Sequence, residues 1–334
     1  MAGSWTNGGV AMTSKRPMLS FVPPLLPNQT IYSWGSVFHE MSGNSTVDQT
    51  RLQLFGTARG RWDFHIPSHL NELCSSTQLR LGTPEIIVRD ATIIPYYTQF
   101  RDPSVAANVL DQVRRNSIGG LARDIGMTRS ASTAHPPRRS CNECVLADED
   151  KYGFAYWRRD HQLPGVLVCQ THGKPLLELP YGRDSVQREI FLWPNDDWNL
   201  REAQLILNWS DATLNALQHL AQLAADMAGG HLDGGYSMQK MRNTCLSALQ
   251  ERNLIATDRS LDLSHALRDY GDHYAPLKGL PEFTSSLQRS IEPVLFLLGG
   301  NEHRTHPLEW MLIIGWLFGD WATFRKAYER SIDA

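Results

Sequence analysis

The strongest chemical signal in the sequence comes from four side chains. Cys141-Asn142-Glu143-Cys144 and, after 24 intervening residues, Cys169-Gln170-Thr171-His172 make a Cys-x-x-Cys followed by a Cys-x-x-His. A zinc ion needs four soft or borderline donors at tetrahedral corners, and two residues between donors let each pair sit on one tight knuckle. Four protein donors leave no position for a catalytic water. The spacing therefore predicts one structural zinc ion that holds a unit too small to fold on its own core. The alternative is four unrelated buried side chains, and paired spacing on both sides argues against it in a chain with five cysteines. The other two, Cys74 and Cys245, lie on predicted helices and read as buried small hydrophobes. His135 and His161 are nearby substitutes for a ligand, but neither has the spacing.

Around these four stand cations and rings. Arg138 and Arg139 precede the first cysteine, and Lys151, Tyr152, Tyr156, Trp157, Arg158 and Arg159 fill the loop between the pairs. Charge for a phosphate backbone and flat rings to position it are what a DNA-contacting surface needs. Equally, Phe154, Tyr156 and Trp157 could pack a small core while Asp160 pairs with Arg158. The formal charge of −3 hides an asymmetry, because residues 1–139 carry 14 Lys plus Arg against 9 Asp plus Glu and the rest of the chain carries −8. Past Lys15 every cation of the positive part is arginine, the side chain suited to bidentate phosphate contact. Arg114, Arg115 and Arg129 join the residues above as expected DNA contacts; solvated helix faces and structural ion pairs are the competing explanation.

The elements that must position these residues are mostly helical. Residues 1–22 read as a disordered leader, rich in Gly, Ser, Thr and Asn, which Pro23, Pro24 and Pro27 end. Ile31, Trp34, Val37, Phe38 and Met41 follow helical spacing, with Gly43-Asn44 as a stop and Ser45 or Thr46 as the next cap. Further helices are expected at Pro67–Cys74, Thr83–Val88, Asp102–Val113 and Ser117–Ile125. The polar, proline-containing stretch 127–140 reads as a linker. Between Tyr152 and Leu179 the short runs Phe154–Trp157 and Val166–Val168, separated by Pro164-Gly165, predict a small β element. Beyond Trp193 the chain is helical again, with Ser210 capping an apolar stripe. Ser237–Arg252, a link and Leu261–Tyr270 follow in an order compatible with a helix-turn-helix, and Ser285–Leu298, Pro307–Phe318 and Trp321–Arg330 close the chain. Trp310, Trp316, Phe318, Trp321 and Phe324 read as an aromatic core. The expected fold is mainly α, a multi-domain helical protein with helix-turn-helix-like elements and a small β-containing zinc-binding domain. Its expected divisions are 1–22, 23–130 (helical, helix-turn-helix-like), 131–185 (zinc-binding) and 186–334 (helical).

Composition excludes several classes. With 42% apolar and 20% charged side chains over 334 residues, the chain is neither disordered nor collagen-like. No apolar run approaches the ~20 residues of a membrane span, and Met1–Pro17 lacks the order of a signal peptide, so a cytoplasmic protein is expected. An odd cysteine count argues against a disulfide framework. The phosphate-cradling Gly-x-x-x-x-Gly-Lys, the Gly-x-Ser-x-Gly elbow and the His-Glu-x-x-His pair are all missing, and an active site is not expected.

The stretch from Arg138 to Cys144, the run Lys151-Tyr152-Gly153-Phe154-Ala155-Tyr156-Trp157-Arg158-Arg159-Asp160-His161-Gln162-Leu163-Pro164-Gly165-Val166, and Cys169-Gln170-Thr171-His172-Gly173-Lys174-Pro175-Leu176 resemble the zinc-binding signature of the TnsD/TniQ family of transposon target-selection proteins. Ile31-Tyr32-Ser33-Trp34, Ile66-Pro67-Ser68-His69-Leu70, Ile93-Ile94-Pro95-Tyr96-Tyr97 and His306-Pro307-Leu308 are also similar, to the TnsD branch above all. The likeness implies a non-enzymatic protein that recognises an insertion site on double-stranded DNA and loads the AAA+ ATPase TnsC, which recruits the transposase. It also implies an amino-terminal helix-turn-helix-like region. The adaptor form of the same role, without sequence specificity of its own, bridges an RNA-guided CRISPR effector (Cascade) complex to TnsC; a second copy of the chain is a further expected partner. Some family members carry a second cysteine cluster, but Leu179–Asn199 contains no cysteine, so one zinc is expected.

Overall fold

A computed structural model describes residues 19–58, 64–115, 120–127, 137–179, 191–196, 209–229, 236–255, 263–283, 287 and 306–331. In it the chain is mainly helical, with one two-stranded antiparallel sheet among the described residues. None of the described helices is long and apolar enough to cross a membrane.

Helices α1 (Ile31–Met41) and α2 (Val47–Phe55) begin at the caps that the sequence supplies. The Thr30 hydroxyl accepts the Ser33 N–H at 3.1 Å, and Thr46 and Gln49 form a capping box. Gly56, at φ 71°, closes α2 in the left-handed conformation that a residue without Cβ adopts at least cost. Next come α3 (Leu70–Ser76), α4 (Pro84–Ala91), α5 (Ile94–Thr98), α6 (Pro103–Arg114) and α7 (Leu121–Asp124). Proline opens α4 and α6 as expected, at a position where its missing N–H has no helical partner to lose. Two expected starts move: the Pro67–Cys74 helix begins at Leu70, behind His69 at φ 59°, and the Ser117–Ile125 helix is the single turn α7 within the described residues.

The expected small β element is present, with one strand inside Tyr152–Leu179, but its strands are not the two runs the sequence suggests. The sheet pairs β1 (Arg138–Ser140) with β2 (Leu177–Leu179), in the register Arg139 opposite Glu178. Phe154–Trp157 forms no strand; at its end the Trp157 backbone pairs with the start of α1, the Thr30 N–H donating to the Trp157 carbonyl at 3.0 Å and the Trp157 N–H to the Ser33 hydroxyl at 3.0 Å. Of Val166–Val168, only Val168 makes a ladder contact, an isolated bridge to Pro175. Between β1 and β2 lie α8 (Asn142–Tyr152) and a 3-10 turn at Asp160–Gln162.

The carboxyl-terminal part holds α9 (Asp211–Ala228), α10 (Met238–Glu251), α11 (Leu263–His273), α12 (Pro307–Phe318) and α13 (Trp321–Arg330). Ser210, Ser237 and Asp320 cap α9, α10 and α13 through side-chain oxygens. His306 and Glu309 cap α12 reciprocally, at 3.1 and 3.0 Å. Helix α12 is apolar all round and packs against α9, α10 and α13, as a helix with no solvent face must. The expected aromatic core is there, with Trp310, Trp316, Trp321 and Phe324 buried and Phe318 packed at its edge. Cys74 and Cys245 are buried within the same apolar cluster. That cluster also takes in Trp34 and Phe38 of α1, Tyr96 and Tyr97 of α5, the three cysteines of the zinc motif, and Leu217 and Leu220 of α9. Of the link between the two expected helix-turn-helix elements, α10 and α11, residues 253–255 are described, with Leu254 and Ile255 buried, and the rest lies outside the described residues, as do most of the expected helix Ser285–Leu298 and most of the expected leader.

Candidate metal centre

The two motif pairs meet, each held by a different kind of element. Cys141 occupies the N-cap of α8 and Cys144 sits three residues on, so both sulfurs face the same side of the first helical turn. This replaces the tight knuckle expected at the first pair. The second pair does sit on a knuckle. Cys169 donates its N–H to the Lys174 carbonyl and accepts one from Gly173, both at 2.8 Å, and Gly173 turns the chain at φ 64°. Strand β1 leads into Cys141 and the bridge between Val168 and Pro175 closes the hairpin around Cys169, so sheet and bridge set the two arms against each other.

The donor atoms of Cys141, Cys144, Cys169 and His172 all lie within 4.8 Å of one another. His172 turns Nδ1 inward, at 3.5, 3.4 and 3.6 Å from the sulfurs of Cys141, Cys144 and Cys169, and the Cys144 and Cys169 sulfurs are 3.7 Å apart. A tetrahedral zinc with ordinary bond lengths separates S from S by about 3.8 Å and S from N by about 3.5 Å. Three sulfurs and an imidazole nitrogen at those separations could hold a metal ion and match zinc in softness and geometry. All three cysteines are buried and not disulfide-bonded. Crowded thiols cannot all ionise unaided: Cys144, hydrogen-bonded to Cys141 and Cys169, has its pKa pushed up, whereas Cys169, which accepts from both, has its pKa pulled down. A divalent cation would remove that conflict by binding all three as thiolates, with the partial positive charge of the α8 N-terminus assisting. His161 is buried beside Cys169, but the fourth donor of the group is His172; His135 lies outside the described residues.

The cations expected to touch DNA are distributed unevenly. Arg139 is 1% exposed, its guanidinium held by Glu178 at 2.7 Å and Glu282 at 3.2 Å. Arg138 is buried too, its guanidinium carbon 4.8 Å from the centre of the Phe64 ring. Arg158 pairs with Asp148 at 2.5 Å and lies over Tyr156; Arg159 is the partner of Asp160, at 2.8 Å. The sequence-level pairing of Asp160 with Arg158 is therefore corrected by one position. The cause is the 3-10 turn, whose preceding residue is Arg159. Burial raises the pKa of Asp148, and the Arg158 charge opposes that rise. Tyr156 and Trp157 are buried, as the packing alternative expects, and Phe154 is half-buried. Lys151 is exposed, its ammonium 5.0 Å above the Tyr152 ring. Arg114 is paired with Glu85, and Arg115 stays well exposed beside Asp111. Arg129 lies outside the described residues.

Several residues that hold the site carry no motif signal. Gln162 clamps the main chain of Arg139 from both sides, accepting its N–H at 3.0 Å and donating to its carbonyl at 2.8 Å. Asn28, at φ 61°, ties the amino-terminal segment to Asp160, and Gln218 of α9 donates to the Gln170 carbonyl in the knuckle at 3.3 Å. A lone amide side chain has no period or spacing, so only its partners give it away.

Residues 20–176 match the TniQ family model, a stretch that takes in Cys141, Cys144, Cys169 and His172. The chain is also similar to the transposon Tn7 transposition protein TnsD of Escherichia coli, 23% identical over 202 residues that cover 60% of this chain and 38% of that protein. These matches support membership of the TniQ/TnsD family. The aligned part thus spans well under half the length of this relative.

Proposed function

We propose that this chain is a target-site selection protein of a Tn7-like transposon, which binds target DNA through its zinc-bearing region and basic amino-terminal half and recruits the AAA+ ATPase TnsC to direct the transposase. The observation that carries this is the four-donor cluster lying inside the stretch that matches the TniQ family. In this role Cys141, Cys144, Cys169 and His172 hold one structural zinc ion, whose closed shell shapes a surface and performs no chemistry. Lys151, Arg115 and Arg123 offer the more exposed cations for phosphate contact, while Arg138, Arg139, Arg158 and Arg159 keep the surface rigid from beneath. The protein acts as a scaffold for other proteins' chemistry and works in the cytoplasm, where the DNA is. The expected domain divisions near 130 and 185 belong to the same proposal.

A second reading is favoured by one observation: the arginines nearest the metal site are engaged with carboxylates of this chain. That suits an adaptor without sequence specificity, bridging an RNA-guided effector complex to TnsC. Binding of the purified chain to duplex DNA at two salt concentrations separates the two. A selector loses affinity steeply with salt and prefers its attachment site to random sequence. An adaptor shows neither behaviour but is captured by the effector complex; failure to bind DNA, effector complex or TnsC sinks both.

A further inference from the structure

Glu282 lies more than a hundred residues beyond His172, in the helical residues 281–283, yet it touches both arms that carry the four candidate donors. Its Oε2 accepts from the Arg139 guanidinium at 3.2 Å, two residues before Cys141. Its Oε1 accepts the Gly165 N–H at 3.4 Å, in the loop that leads to Cys169. The side chain is 14% exposed, so both contacts are made largely out of water, where a charge-assisted hydrogen bond is strongest. Gly165 cannot move independently. At φ 83°, a Cβ there would come within 2.6 Å of Leu308 and 2.9 Å of Met311, both on α12. Tyr96 of α5 fixes the preceding residue by donating to the Pro164 carbonyl at 3.2 Å.

We infer that Glu282 is a positioning residue for the metal centre, through which the carboxyl-terminal helices hold the Cys141 and Cys169 arms at the separation that four-fold coordination requires. This deepens the zinc assignment above and rests on it. A single carboxylate shared by both arms makes metal retention depend on the docking of the carboxyl-terminal part, and that docking depend on the metal. The linkage is reciprocal, as two events that share one contact must be.

The test uses the full chain loaded with zinc and a chromogenic chelator in excess. Glu282→Ala should release zinc about tenfold faster than the wild type, in line with the loss of other outer-shell partners. Glu282→Gln, which keeps two hydrogen-bonding atoms but loses the charge, should fall between. Cobalt in place of zinc should show a changed ligand-field spectrum in Glu282→Ala. Thr46→Ala, which removes a cap of α2 in the amino-terminal part, away from the donors and from the carboxyl-terminal helices, is the control: it should lower the melting temperature and leave both readouts unchanged. Equal release rates in Glu282→Ala and wild type would overturn the inference while leaving the zinc assignment intact, and so would a Thr46→Ala rate that rises as much. A wild-type chain that binds no zinc overturns both.

Discussion

At the residue scale the metal cluster behaves as one object. Removing a single donor leaves three, and a three-donor site opened to water binds zinc far more weakly. Cys141→Ser is expected to cut bound zinc from about one per chain to a small fraction, as measured by elemental analysis. Cys74→Ala should leave it unchanged, because Cys74 lies in an apolar environment that raises its thiol pKa to about 11. His39 gives a pH signature independent of the metal. Its ring is half-buried, 2.7 Å from the Thr50 hydroxyl, and burial lowers its pKa below the ordinary 6.5, against a smaller upward pull from Glu40. The folded state then binds fewer protons than the unfolded one just below that value. The stability His39 provides is fully present above about pH 6.5 and is lost as the pH falls towards its folded pKa. Melting temperatures of wild type and His39→Gln between pH 7 and pH 5 should show a shallower decline in the variant.

At the element scale, much was legible because caps and stripes are local. Thr30, Thr46, Asp102, Ser210 and Pro307 each sit one residue before, or at, the start of a helix, and short polar side chains or proline there act on the backbone beside them. Thr46→Ala removes one half of the α2 capping box and should cost about 1 kcal/mol in a denaturant titration. An unchanged midpoint would mean that tertiary packing alone holds α2. The small β element formed, but not from the runs that suggested it. Aromatic and branched residues at Phe154–Trp157 satisfy strand propensity, but propensity reports a fit to a half-buried surface and says nothing of which backbone supplies the partner. At Trp157 the cap and first turn of α1 supplied it, and the strands formed at Arg138–Ser140 and Leu177–Leu179, where no run of branched residues announced them.

At the scale of the molecule, one continuous apolar cluster joins the amino-terminal helices, the cysteine arms and the carboxyl-terminal helices. Buried side chains from either side of the proposed divisions near 130 and 185 belong to that one cluster. Stripping zinc with a chelator should therefore lower one cooperative melting transition by several degrees, without producing a separate early one. A distinct low-temperature transition would show that the metal centre folds on its own. The charge surplus of residues 1–139 likewise does not translate directly into a basic face, because Arg139 and Arg114 are engaged with acidic residues from other elements.

The four side chains that come together were legible in the sequence alone, since residue type and a two-residue gap limit which atoms could reach one ion, and so was the helical class, since caps and apolar periods act over a few residues. Tertiary structure decided the rest. It decided which element carries each cysteine, which arginines are buried, and that Glu282 reaches both arms, because each of these depends on contacts between residues tens to over a hundred positions apart, and no local period encodes those.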